Sequence, residues 1–143
     1  MKEHATERLI EASPEAVWAA LTDAAAYQDW NPEIVAIEGR LAQDERITAH
    51  VRLGSGVVRK VGLRVTHLDP PRAMEWTARV PLGLFTGKRT FTVAPSGDGR
   101  SFFRLHLAMS GPMLPMILKS VGDRQPEVES FADALKRRVE RSR

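Results

Sequence analysis

The chain has 143 residues, no cysteine and a formal net charge of +3. This length suits one domain with one hydrophobic core, so we predict a single domain over residues 1–143. The lack of cysteine excludes thiol catalysis, disulfide bonds and thiolate-bound zinc. The chain also contains no spacing typical of metal ligands or nucleotide-binding loops, so we expect neither a metal nor a cofactor.

The excess positive charge lies mostly at the C-terminus. Residues 136–143 carry five basic residues and one acidic residue, whereas residues 1–135 carry 16 basic and 17 acidic residues. A basic last turn suits the negative end of a helix dipole, and no basic stripe alternates with aromatic residues. We therefore expect no nucleic-acid partner. The polar N-terminal segment and the absence of a long apolar stretch predict a cytoplasmic protein without a transmembrane segment.

One strand and two short helices are predicted first. Residues 4–12 alternate weakly between polar and apolar side chains, which is typical of a strand. Ser13 can cap a helix, and Pro14 suits the first helical position. The apolar residues from Val17 onward continue into a second short helical segment, which Asn31-Pro32 ends.

A run of short strands is predicted next. From residue 33 the apolar residues recur with period two, and turn sequences separate the segments, as in an antiparallel meander. The clearest turns are Gly54-Ser55-Gly56, Asp69-Pro70-Pro71 and Ser96-Gly97-Asp98-Gly99. Together with the first strand, this pattern predicts about seven strands.

The apolar spacing becomes helical after Gly111-Pro112, in a stripe that runs from Leu114 to Val139. Because Pro126 removes a helical hydrogen bond, we predict a kink or a short break around Asp123–Pro126. The predicted fold is α+β, with a curved seven-stranded antiparallel sheet wrapped around a long C-terminal helix. One helical stripe cannot fill such a sheet, so we expect a cavity between the sheet and this helix.

Several short motifs occur together in the order and spacing of a known family. They are Ile10–Trp18, Leu21-Thr22-Asp23, Trp30-Asn31-Pro32, Leu68–Arg72, Met74-Glu75-Trp76, Gly87–Pro95, Gly111 and Ala134–Arg138. In these motifs the chain resembles the START-like (SRPBCC) helix-grip superfamily, and within it the single-domain bacterial branch that is polyketide cyclase/dehydrase-like. The resemblance implies a hydrophobic cavity for a small apolar or amphipathic molecule, which would be lipid-like, aromatic or polyketide-like. Enzymatic cyclases, ligand carriers and chaperone-activating domains share this fold, so the activity stays open.

The residues that we predict to contact such a ligand are mostly aromatic or flexible apolar side chains on the inner face of the sheet and on the helices. They are Trp30, Trp76, Arg89, Phe91, Phe103, Met109, Met113, Ile117 and Phe131.

Arg89 is the unusual member of this set. Strict alternation places it between Gly87 and Phe91 on the face that is turned to the core, where an unpaired guanidinium is costly. Three interpretations remain open: Arg89 has a carboxylate partner, it reaches solvent, or it meets an anionic or carbonyl group of the ligand.

Two other functions are considered beside ligand binding. In a cyclase- or dehydratase-type enzyme, Arg89 would polarise a carbonyl group or hold an oxyanion, and His67 or Tyr27 would relay a proton. His67 is a candidate because alternation places it on the same face as Val61, Leu63 and Val65, near a strand end. In an interaction module, the basic tail Lys136–Arg143 or an exposed sheet face would recruit a protein partner or a second copy of the chain.

Overall fold

Seven antiparallel strands form one sheet in the computed structural model, which describes residues 1–141. The strands are β1 (Lys2–Ile10), β2 (Ile34–Glu38), β3 (Arg46–Arg52), β4 (Val58–Asp69), β5 (Ala73–Val80), β6 (Phe85–Pro95) and β7 (Ser101–Ser110). Their spatial order is β1-β7-β6-β5-β4-β3-β2, so a six-strand meander closes back onto the first strand. This arrangement confirms the predicted α+β fold and the strand count.

Four helices accompany the sheet: α1 (Pro14–Thr22), α2 (Tyr27–Trp30), α3 (Leu114–Val121) and α4 (Gln125–Arg141). The first helix begins where the sequence predicts, because the Ser13 side chain accepts a hydrogen bond from the Ala16 N–H at 3.2 Å. A single 3-10 turn, Ala24–Ala26, links α1 to α2.

The helical stripe that follows Gly111 forms two helices rather than one. Helix α3 ends at Val121, Gly122 has a left-handed φ of 73°, and α4 begins at Gln125. Pro126 lies in the first turn of α4, where the missing N–H removes no intrahelical hydrogen bond. The predicted interruption is therefore a complete break, and the long helix is α4 alone.

Gly111 anchors the start of α3 against the connection between β5 and β6. Its φ is +113°, and a Cβ atom there would lie 2.5 Å from the carbonyl oxygen of Leu84. That same oxygen accepts a hydrogen bond from the N–H of Met113 at 2.9 Å. A side chain at position 111 would therefore push α3 away from the sheet.

The solid part of the core lies under α4, which packs against β1, β7, α1 and α2. Phe131 is fully buried at its centre, with ring centroids 5.5 Å from Phe91, 5.8 Å from Trp30, 6.2 Å from Tyr27 and 6.5 Å from Phe103. These rings fill the space between α4 and the sheet.

A β-bulge in β4 reverses the predicted orientation of His67. Val65 pairs with Trp76 and His67 pairs with Glu75, so one residue is inserted between the two pairs. Since side chains alternate along a strand, this insertion turns His67 to the outer face, where it is exposed. The prediction that His67 shares the inner face with Val65 is wrong for this reason.

Candidate functional site

A cavity of about 480 Å³ lies between α3 and the inner face of the sheet. From α3 and the residue before it, Met113, Met116, Ile117 and Val121 face this space. The sheet contributes mainly apolar side chains, among them Val61, Leu63, Trp76, Ala78, Phe85 and Met109. The volume falls within the range of small-molecule sites, roughly 300–1,000 Å³.

Small residues on adjacent strands account for the position of the cavity. Ala78 of β5 pairs directly with Gly87 of β6, and both line the space. A Cβ atom at position 87 would lie 3.3 Å from the Phe85 ring, so the absence of a side chain there preserves the depth of the cavity. Helix α3 has only eight residues, of which Leu114 alone is buried, and it therefore covers this floor without filling it.

Five of the nine predicted ligand-contacting residues lie on the cavity wall. They are Trp76, Arg89, Met109, Met113 and Ile117. Their contact with a ligand remains a prediction.

The other four predicted residues, Trp30, Phe91, Phe103 and Phe131, do not line the cavity. They form the aromatic cluster under α4, because the break before Gln125 makes α4 and α3 cover different parts of the sheet. The cavity therefore lies under α3, the first part of the predicted C-terminal stripe, and not under α4.

Arg89 has a carboxylate partner, which is the first of the three interpretations. Its guanidinium donates two parallel hydrogen bonds to Glu33, at 2.8 Å and 2.7 Å. Arg124 Nη2 donates to the same carboxylate at 2.6 Å. The three side chains are buried, with exposed fractions of 8% for Arg89, 1% for Glu33 and 4% for Arg124. We call Arg89, Glu33 and Arg124 the buried triad.

Asn31 positions the carboxylate of the triad. Its side-chain oxygen accepts hydrogen bonds from the backbone N–H groups of Glu33 and Ile34, both at 2.9 Å. This turn places Glu33 at the start of β2, facing Arg89 on β6. Sequence reasoning missed Glu33 and Arg124, because 56 residues separate Glu33 from Arg89 and 91 separate it from Arg124.

The triad is ionised at neutral pH. Burial by itself would raise the pKa of the Glu33 carboxyl, but Arg89 and Arg124 outweigh burial and hold this pKa below its ordinary value. Burial would likewise lower the pKa of Arg89, and Glu33 outweighs it and raises that pKa. Arginine side chains stay protonated in proteins, so the two guanidinium groups on the wall carry positive charge.

Acid should weaken the fold through Glu33. Because its pKa is lower in the folded protein than in the unfolded chain, its stabilisation is complete above the unfolded value of about 4.3 and declines as the pH falls further. Urea unfolding of the wild type and of Glu33→Gln between about pH 6 and about pH 3 measures this. We expect the wild type to lose stability more steeply over this range. Equal slopes in the two proteins would contradict the assignment.

Asp133 serves as the control for the pH dependence that Glu33 causes. The hydrogen bond from Arg8 likewise lowers the pKa of Asp133, but about half of this side chain is accessible to solvent. Solvent screening weakens such a pair, so Asp133→Asn should change the pH dependence less than Glu33→Gln does.

The other two catalytic candidates lie away from the cavity. Tyr27 is fully buried, and its hydroxyl donates a hydrogen bond to the carbonyl oxygen of Leu21. Burial raises the pKa of Tyr27 far above its ordinary value, although Arg89 opposes this shift. His67 is on the outer face of the sheet. Among the three candidates, Arg89 alone lies on the wall.

The charged side chains on the wall are all cationic within residues 1–141. They are Arg59, Lys60, Arg89 and Arg124. No carboxylate, histidine or tyrosine from this range lines the cavity, so the wall offers hydrogen-bond donors but no general base of these types. Likewise, the described residues contain no group of three or more histidine and acidic side chains placed to hold a metal ion.

The basic C-terminal segment is partly tied to the body of the protein. Lys136 Nζ donates to the carbonyl oxygen of Leu9 at 2.6 Å and to Glu140 at 2.7 Å. The end of the predicted tail, residues 142–143, lies outside the described residues. No helix in the described part of the chain is both long enough and apolar enough to cross a bilayer.

The curved sheet, the C-terminal helices packed across it and the apolar cavity between them define a START-like helix-grip domain. Residues 1–140 match the family described as polyketide cyclase / dehydrase and lipid transport, and the chain belongs to this family. No curated protein sequence matches this one at a significant level.

Solved structures show the same fold. Protein MLL2253 from Mesorhizobium loti is similar with a TM-score of 0.74 and 19% identity, over 99% of each chain. A START superfamily protein from Mycobacterium smegmatis has a TM-score of 0.74 and 20% identity, also over 99% of each chain. A Thalictrum norcoclaurine synthase, a point mutant in complex with a transition-state analogue, has a TM-score of 0.73 and 14% identity, over 99% of this chain and 95% of that one.

Proposed function

We propose that this protein binds a small hydrophobic or amphipathic molecule in the cavity between α3 and the sheet. The observation that carries the proposal is an apolar space of about 480 Å³ with a buried arginine on its wall. Lys60 and Met116, which line the same space, are exposed and mark its side toward solvent. The family description, which includes lipid transport, supports the same class of ligand.

A cyclase-type reaction in the same cavity is the second candidate. The family description includes cyclases and dehydrases, and a norcoclaurine synthase shares the fold. In such a reaction Arg89 or Arg124 would polarise a carbonyl group. Binding is favoured because the wall within residues 1–141 has no carboxylate, histidine or tyrosine to take up the proton.

Filling the cavity should abolish binding. In Ala78→Phe, the new ring would occupy the space above the Ala78–Gly87 pair. Fluorescence titration with the neutral apolar dye N-phenyl-1-naphthylamine should show binding by the wild type and a loss of about tenfold or more in affinity for this variant. The matched control is Ala108→Phe, since Ala108 pairs with Lys88 and does not line the cavity. Equal dye binding by both variants would place the ligand elsewhere.

A further inference from the structure

We infer that the preferred ligands are amphipathic oxyanions, with an apolar body and one carboxylate-like group, and that Arg124 and Trp76 form the subsite for that group. This inference rests on the proposed function, because it assigns a ligand class to the same cavity.

Two buried donors on the wall lack an acceptor within residues 1–141. Arg124 uses Nη2 for Glu33, while its Nη1 has no hydrogen-bond partner. Trp76 is fully buried, and its indole Nε1 also has no partner. Buried donors in folded proteins almost always have a hydrogen-bond acceptor. Two unpaired donors beside one cavity therefore indicate that a ligand supplies the oxygen acceptor.

The two donors belong to the same region of the wall. Trp76 is the direct cross-strand neighbour of Arg89, which brings the two side chains together on the inner face. Arg89 and Arg124 bind the same Glu33 carboxylate. Trp76 and Arg124 thus both adjoin Arg89, one as its strand neighbour and the other through Glu33, and both residues line the cavity.

The charges in this region favour an anion over a neutral acceptor. The triad combines two guanidinium groups with one carboxylate, and Arg59 and Lys60 at the exposed side add further positive charge. The nearest competing anion is Glu127, whose Oε1 lies 3.9 Å from Arg124 Nη1, beyond hydrogen-bond distance. Glu127 does not line the cavity, and its Oε2 is itself without a partner. A ligand carboxylate would thus gain a charge-assisted hydrogen bond that Glu127 does not make.

The apolar residues of the wall determine which apolar part of the ligand fits. Met113, Met116 and Ile117 present flexible or branched apolar side chains opposite the floor formed by Ala78 and Gly87. Such surfaces accept an apolar chain or ring without fixing its shape. Arg124 lies in the short segment between α3 and α4, so the charged group would be held at the end of the cavity where α3 ends.

Displacement of bound N-phenyl-1-naphthylamine by decanoate and by its uncharged methyl ester tests the inference without any substitution. The two compounds share the alkyl chain and differ in the charged group. We expect the wild-type protein to bind decanoate about tenfold more tightly than methyl decanoate. Equal affinities would overturn the inference and leave the proposed function standing. If the wild type bound neither compound nor the dye, the result would contradict both this inference and the proposed function.

Three variants locate the subsite. Arg124→Gln should remove the preference for decanoate, with the affinity for methyl decanoate changed less than about twofold. Trp76→Phe, which keeps a ring but removes the N–H, should reduce the preference partially. Lys88→Gln removes an exposed cation that does not line the cavity, and it should change the preference by less than about twofold. If Arg124→Gln and Trp76→Phe both kept the wild-type preference, the assignment of the subsite would be wrong.

Discussion

Replacing Glu33 by Gln is expected to lower the free energy of unfolding by about 3–5 kcal/mol. The substitution preserves the size of the side chain but removes the charge that Arg89 and Arg124 share. Arg89 would then remain buried without a counterion, and Arg124 would keep only Glu127 at 3.9 Å. Such a loss costs far more than the loss of an exposed ion pair. Urea unfolding at neutral pH measures the change.

An apolar replacement of the whole triad separates the charge effect from packing. In the variant Glu33→Leu/Arg89→Met/Arg124→Met, the three charges of the triad are removed together, and only Glu127 loses a cationic neighbour, at 3.9 Å. Replacing a buried ion network by apolar side chains is often neutral or stabilising by about 1–4 kcal/mol. We therefore expect the triple variant to be more stable than Glu33→Gln. Asp133→Asn, which breaks a partly exposed pair with Arg8, serves as the control and should cost about 1 kcal/mol or less. A cost for Glu33→Gln as small as that of the control would show that the triad is not a buried ion network.

Truncating Phe131 to Ala should also destabilise the protein by about 3–5 kcal/mol. The ring contacts Tyr27, Trp30, Phe91 and Phe103, so its removal leaves a void that these rigid neighbours cannot close. The guanidinium of Arg89 also lies 5.9 Å from the centre of this ring, so a cation–π contact would be lost.

Thermal and urea unfolding of Phe131→Ala and Phe102→Ala provide the test. Phe102 is 40% exposed, and its truncation should cost less than about 1 kcal/mol. If the two variants were equally stable, α4 would not close the aromatic core in the way described.

Helices α3 and α4 cover different parts of the sheet and differ in how closely they pack on it. Helix α4 packs its buried residues Val128, Phe131 and Leu135 onto a continuous aromatic core. Helix α3 lies over the region of Ala78 and Gly87 and leaves it hollow. A tightly packed core and a cavity thus occur in one small domain, because each lies under a separate helix.

Much of the fold follows from local sequence patterns. The period-two segments and the Gly-, Pro- and Asp-rich turns predicted the strands, and Ser13-Pro14 predicted the start of α1, because each signal acts within a few residues. The proline at position 126 predicted the interruption of the C-terminal stripe. The side of the sheet that Arg89 faces was also predictable, since β6 alternates without a bulge.

The site depended on contacts that no local pattern encodes. One inserted residue in β4 moved His67 from the predicted inner face to the outer face. The shift shows in the sequence only as the step from Val65 to Leu68 in the apolar pattern. The partner of Arg89 stayed open among a carboxylate, solvent and a ligand group, because alternation gives the side of the sheet that the side chain faces but not what it meets there. The sequence by itself thus determined the elements, their order and the inward position of Arg89. Only the tertiary structure decided that Glu33 meets Arg89 and Arg124, and that α3 rather than α4 covers the cavity, because these depend on packing between segments far apart in the chain.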